Sequence, residues 1–296
     1  MQARIIRRAR RRQISLRICA ALLFVALLLP AAMLNASAAG PVYPPGAQEA
    51  SVYLDGVEIL EGECILYDSV TYVPLRSFCK IFDNCQFSWN GKTSTATVKS
   101  STLTMTVQTN AVYITANGHY YYTVGKILNL GGHMYVPIRP LARTFNTEVS
   151  WNAKGRYVEL STENRTSKTV AQANYDGDSV YWLSRIISAE AGGEPFLGQS
   201  AVGNVVMNRV ASRSYPNTIY GVIFDRKHGT QFSPVAMGTI YRAPSQSAII
   251  AAKICLEGYT LSDSVLFFMN PRLATTNWIS KNRPYAFTIG NHDFYD

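Results

Sequence analysis

Apolar and polar residues alternate with period two through Val52-Tyr53-Leu54-Asp55-Gly56 and again through Val112-Tyr113-Ile114-Thr115, which predicts half-buried strands. After each run, one pattern occurs twice. Tyr72-Val73-Pro74-Leu75-Arg76 recurs as Tyr135-Val136-Pro137-Ile138-Arg139. Each copy passes through a helix-like stretch to an aromatic step, Phe87-Ser88-Trp89-Asn90 and Val149-Ser150-Trp151-Asn152, and ends in a β-rich tail at 95–98 and 156–160. The repeated unit therefore reads as strand, turn, Tyr-Val-Pro-hydrophobic-Arg, short helix and strand pair. Neither copy alone buries enough apolar surface, so the two are expected to share a core.

The period changes towards the C-terminus. Residues 163–177 are polar and aperiodic and read as a linker. Asp178 or Ser179 is expected to cap a helix on which Leu183, Ile186, Ile187 and Glu190 share one face, and Gly192-Gly193 end it. Glu194-Pro195 opens a second helix, with Pro195 near its first position and Val202, Val205, Val206 and Val210 turned to the core. A third apolar stretch, 244–256, stops at Gly258, and short β-like runs follow at 265–269 and 287–289. The expected class is α+β. A two-repeat unit of mixed strands and short helices (48–162) precedes the linker (163–177) and a mainly helical domain with a few short strands (178–296).

Charge and cysteine content set the compartment. The formal charge is +9, but Arg4, Arg7, Arg8, Arg10, Arg11, Arg12 and Arg17 all lie in the first 17 residues; beyond them 21 basic residues face 19 acidic ones. A near-neutral remainder needs no nucleic-acid partner. The basic head is followed by an uncharged apolar run from Ile18 to Leu34 and then by Ala36-Ser37-Ala38, the three parts of a secretory signal peptide over 1–38. The alternative is an uncleaved anchor, which would make the leader the chain's contact with a membrane. Either way the chain is expected to act outside the cytoplasm. Of the four cysteines past the leader, Cys79 and Cys85 are the nearest pair for a disulfide, Cys64 is left open, and Cys255 reads as a small buried hydrophobe.

Glu190 carries the clearest chemical signal. It continues an apolar helical face at the last turn, where burial raises a carboxyl pKa and keeps a general acid protonated near neutral pH. A helix-end glutamate satisfied by a backbone amide is the alternative. Glu194 is the only other carboxylate in the same motif and stands either as a second acid or as a cap. No cofactor or metal is expected.

Two resemblances sharpen these readings. The stretch at about 50–162, with its twin Tyr-Val-Pro motifs and trailing tryptophans, resembles the stalk domain named after the N-terminal domain of copper amine oxidases. That implies a binding or spacing appendage on a Gram-positive cell surface, without oxidase chemistry. Asn174-Tyr175-Asp176 mimics the quinone-forming motif of true amine oxidases, but His119, His133, His228 and His292 make no His-x-His pair for copper. From Leu183 through Ala189-Glu190-Ala191-Gly192-Gly193-Glu194-Pro195 to Asn208-Arg209-Val210, the chain resembles the spore-cortex-lytic (SleB/CwlJ-type) cell wall hydrolases. Gln231-Phe232-Ser233-Pro234, Phe267-Phe268-Met269-Asn270-Pro271 and Ile289-Gly290-x-His292-x-Phe294 continue the match in order.

This second resemblance implies a lysozyme-like, lytic-transglycosylase-like fold, peptidoglycan as partner, and Glu190 as the catalytic acid. The family usually has Arg where this chain has Gly192, which puts local groove contacts in question. Gln231, Phe232, Ser233, Tyr241, Asn270, Trp278 and His292 combine aromatic faces with amide or hydroxyl groups, as a sugar groove requires. For Phe232 and Trp278 the alternative is core packing, and for His292 a structural hydrogen bond. Asn208-Arg209 is expected either to hold the helix end or to contact the muramoyl lactate. The expected reaction is cleavage of the β-1,4 bond between N-acetylmuramic acid and N-acetylglucosamine, in spore cortex or in wall remodelling. A water-using muramidase, a non-catalytic wall-binding scaffold and an amidase remain the competing readings.

Overall fold

The computed structural model describes residues 41–227 and 229–296; the leader with its cleavage site, Cys19 and His228 lie outside them. In chain order the first half forms β1 (Gln48–Glu49), β2 (Val52–Leu54), β3 (Val57–Ile59), β4 (Ile65–Tyr67), β5 (Val70–Pro74), α1 (Leu75–Phe82), β6 (Gln86–Asn90) and β7 (Thr95–Lys99). The second copy forms β8 (Thr104–Gln108), β9 (Tyr113–Ala116), β10 (His119–Tyr122), β11 (Leu128–Leu130), β12 (His133–Pro137), α2 (Ile138–Thr144), β13 (Glu148–Asn152) and β14 (Tyr157–Ser161). Both Tyr-Val-Pro motifs do the same work. The proline ends a strand because it has no N–H to pair, and it stands as the N-cap of the helix that starts one residue later.

The copies meet about a local two-fold. β5 and β12 pair antiparallel with Val73 opposite Val136, at the centre of the sheet β1-β4-β5-β12-β11. They also exchange strands: the β2–β3 hairpin of the first copy pairs in parallel with β14 of the second, and β9–β10 joins β7 of the first copy through β8. One core results, with Val73, Phe78, Met105, Val136, Leu141, Phe145 and Leu160 in a single cluster. The equivalent residues Phe82 and Phe145 stack at 5.0 Å. Cys64, Cys79, Cys85 and Cys255 are buried free thiols. The expected Cys79–Cys85 pair is therefore not a disulfide; the Cys85 thiol lies 3.9 Å from the Cys79 carbonyl oxygen.

The second half is built on α3 (Gly177–Ala191), α4 (Phe196–Ala211) and α7 (Gln246–Leu256), packed against one another. The short helices α5 (Ile219–Ile223), α6 (Ser233–Ala236) and α8 (Trp278–Asn282) join them, with a 3₁₀ turn at Thr239–Tyr241. A sheet of β15 (Phe267–Met269), β16 (Tyr285–Ile289) and β17 (His292–Tyr295), ordered β15-β17-β16, closes the fold. Asp176 caps α3, accepting from the Ser179 backbone N–H at 2.8 Å, so the helix begins ahead of the expected Asp178 or Ser179 cap. Gly192 follows α3 in a right-handed conformation.

Residues 163–176 form no helix or strand, yet they are strapped down. Asn146 donates to the Thr169 carbonyl and Asn117 to that of Val170. At the end of this segment, Tyr175 and His119 both reach the Glu257 carboxylate, His119 Nδ1 at 2.7 Å from Oε1, while Arg143 donates to the Glu257 carbonyl at 3.1 Å. Tyr122 packs on Tyr259 at 4.3 Å and Tyr113 on Phe196 at 6.1 Å. The two halves thus share a polar and aromatic seam. No helix among the described residues is long and apolar enough to cross a membrane.

Candidate active site

Glu190 sits in the last turn of α3, above fully buried Leu183, Ile186 and Ile187. Those residues fill the core because they fall on the same face at helical spacing, and they hold the glutamate at the edge of that core with its side chain half-buried. Its carboxyl takes no hydrogen bond or ion pair among the described residues, which sets aside an amide-satisfied helix end. Burial pushes its pKa up to about 7, with the Arg209 charge pulling the other way.

Arg209 comes from α4 and is 5% exposed. Its Nε donates to the Leu266 carbonyl at 2.8 Å, and its guanidinium lies over the rings of Tyr215, Phe232 and Phe267 at 5.0, 5.1 and 5.5 Å. One terminal nitrogen is buried without a partner. Desolvation pulls the guanidinium's pKa down, while Tyr215, Asp225 and Glu190 hold it up. Asn208 beside it donates to the Ser262 and Val265 carbonyls at 2.8 and 2.9 Å. The Asn-Arg pair therefore ties the C-terminal segment to α4.

Glu194 is engaged elsewhere. It accepts from the Asn291 backbone N–H at 2.8 Å and from the Asn291 amide at 3.0 Å, and these bonds hold its pKa below the ordinary glutamate value. It secures the β16–β17 turn rather than the start of α4, whose N-cap is Pro195. Gly290 at that turn has φ +61, and a Cβ there would stand 2.0 Å from a Glu194 oxygen.

The expected groove residues divide into two sets. Phe232, 2% exposed, is a core ring beneath Arg209, 6.4 Å from Phe268. His292 is 5% exposed between Phe268 and Phe294, with Nδ1 unpartnered and its pKa lowered by burial. It makes no structural hydrogen bond through that nitrogen. Trp278 is 49% exposed, so it is not packed in the core; Arg283 covers both Trp278 and Phe267, linking the indole to the ring group around Arg209. Ser233 is exposed at the start of α6, and Gln231 donates to the Gly229 carbonyl at 3.2 Å. Asn270 receives the Arg272 backbone N–H and shapes its own turn. Tyr241 is exposed and faces Trp182 on α3.

Arg209, Phe232, Phe267, Arg283 and Trp278 are thus linked in one series of neighbours, and the Arg209 charge acts on Glu190. Sequence reading missed Tyr215 and Arg283, which come from aperiodic segments with no pattern to mark them. It also missed the cluster of Trp182 with Tyr220 and Phe224 on the flank of α3. No group of three or more His, Cys, Asp or Glu side chains suited to a metal occurs among the described residues.

A half-buried, unpaired acid at a helix end beside a buried arginine suits glycosidic bond cleavage, and sequence comparison agrees on the class. Residues 193–295 match the Cell Wall Hydrolase family model, beginning three residues after Glu190, and the chain belongs to that family. The cell wall hydrolase CwlJ of Oceanobacillus iheyensis is 30% identical over 116 residues, which cover 37% of this chain and 81% of that protein. A spore cortex-lytic enzyme of Bacillus cereus is 38% identical over 120 residues, covering 40% of this chain and 45% of that enzyme, so the chain spans less than half of it. The solved catalytic domain of the germination-specific lytic transglycosylase SleB from Bacillus anthracis is 36% identical, covering 43% of this chain and all of that domain, with a TM-score of 0.38. Residues 53–160 and 115–175 match the Copper amine oxidase N-terminal domain model.

Proposed function

We propose that this protein is an exported peptidoglycan-cleaving enzyme, a lytic transglycosylase in which Glu190 alone serves as acid and then as base. The observation that carries the reading is the isolated Glu190 carboxyl with its pKa at about 7. About half of it is protonated at neutral pH, the balance a group that first gives and then takes a proton requires. The protonated carboxyl donates to the glycosidic oxygen, and the C1–O bond breaks with its electron pair on the departing N-acetylglucosamine. Positive charge develops at the muramoyl C1. The muramoyl C6 oxygen then bonds to C1 and its proton passes to the Glu190 carboxylate, leaving a 1,6-anhydro ring and the enzyme in its starting state.

Water is not consumed, so no second carboxylate is needed. Glu194, occupied by Asn291, supports this count. Relatives named as spore cortex-lytic enzymes favour cortex as the substrate.

Mass spectrometry of digested sacculi tests the reading. Anhydromuropeptides are expected from the wild type and none from Glu190→Gln. Release of reducing muramic acid alone would replace the transglycosylase with a hydrolytic muramidase.

A further inference from the structure

The two-fold that relates the repeats duplicates a surface feature as well as the core. Each copy carries an open groove, about 450 Å³ in the first and about 430 Å³ in the second. Their walls correspond: Pro74, Arg76 and Trp89 in one, Pro137, Arg139 and Trp151 in the other, with the facing hairpin supplied by the opposite copy. Both indoles are half exposed, at 51% and 50%. Each arginine is held against the residue that opens the aromatic step: Arg76 lies 4.7 Å over the Phe87 ring, and Arg139 donates to the Val149 carbonyl at 3.4 Å.

Core packing alone does not account for this identity, because both indoles and both guanidinium groups stand at the surface. Buried positions are kept in part, as at Tyr72 and Tyr135 or Phe82 and Phe145, and drift in part, Phe78 answering to Leu141, Cys79 to Ala142 and Val98 to Leu160. The exposed Arg and Trp stay the same. A tryptophan left half in water twice, beside a positioned cation, is a recognition surface of aromatic face plus charge.

We propose that the two grooves are a duplicated binding site for peptidoglycan strands, with each indole stacking on the apolar face of a sugar ring and each arginine taking a stem-peptide carboxylate. The occupant rests on the cell wall reading above, and two features of the grooves favour it. A polymer that repeats sugar faces and carboxylates matches a site that pairs indole with guanidinium, and a repeated site suits a repeated ligand. The second groove has no acid in its lining, and the first has one, Glu63, which accepts from the Ser77 hydroxyl at 2.7 Å and stands with Arg76 and His133. The second groove is therefore the more open to anions.

The test titrates the full chain, as Glu190→Gln to spare the polymer, onto purified sacculi and measures the bound fraction by sedimentation. Trp89→Ala or Trp151→Ala is each expected to weaken binding about a hundredfold, because a single remaining site has no avidity. The double variant is expected to keep only the weaker binding that the helical half supplies. With Glu190 intact, that double variant releases product from short soluble fragments as fast as the wild type. Arg76→Ala with Arg139→Ala, which leaves both indoles, gives an independent loss and decides the matter if the tryptophan variants do not fold. A folded double tryptophan variant that sediments like its parent overturns the proposal. Groove-dependent wall binding without any anhydromuropeptide from the wild type would overturn the reading of Glu190 and leave this one standing.

Discussion

At the residue scale, the proposed function turns on one acid, Glu190, whose titration is set by where the helix leaves it. Burial raises the Glu190 pKa from 4.5 to about 7. In the proposed reaction the acid form starts the cleavage, so kcat/KM is expected to fall as pH rises through about 7, and a pH–rate profile reads this directly. Stability follows the same titration. Between the unfolded value near 4.5 and the folded value near 7 the native state holds the extra proton, so raising pH over that range destabilises the fold. Glu190→Gln is expected to remove that slope and to stabilise the protein by about 3 kcal/mol at pH 8, measured by denaturant unfolding. Arg209 opposes the upward shift. Arg209→Met should therefore move the alkaline limb to higher pH, whereas Arg209→Lys should keep it near the wild-type position.

At the element scale, the acid depends on how closely three helices approach. Gly203 on α4 sits where a Cβ would meet the Cys255 sulfur of α7 at 2.7 Å and the Ile187 side chain of α3 at 2.9 Å. Gly203→Ala is expected to push the helices apart, costing about 1–3 kcal/mol by denaturant unfolding and lowering activity through Glu190's turn of α3. The helices themselves were legible from apolar spacing, down to the valines of α4. The strand β17 was not, because its four residues, His292 to Tyr295, show no polar–apolar alternation, and the turn leading into it is held by the Glu194–Asn291 contact across 97 residues. The start of α3 was misjudged because two candidate caps stood within the first turn, and the structure uses a third, Asp176.

At the scale of the whole molecule, the segment that reads as a linker acts as a strap. Glu257 gathers His119 and Tyr175 on its carboxylate and Arg143 on its carbonyl, joining the groove-bearing half to the helical half. Glu257→Ala leaves the phenol and imidazole without their partner at the seam and is expected to cost about 1–3 kcal/mol. Limited proteolysis should then cut within 163–176 faster than in the wild type, and intact Glu190 chemistry on soluble fragments would show that only the seam has loosened.

Local order along the chain was enough to determine the repeat, the strand-to-helix switch at each Tyr-Val-Pro, the apolar face that ends at Glu190 and the mainly helical character of the C-terminal half. These properties depend on neighbours one to seven residues apart, so the sequence expresses them directly. Tertiary structure decided the rest. It exchanged strands between the copies, set Arg209 beside Glu190, turned Glu194 to Asn291, put Phe232 in the core and left Trp278 in water. The reason is physical: burial and charge at a site are sums over residues remote in sequence, and a periodic pattern carries no record of which segments will fold together to make them.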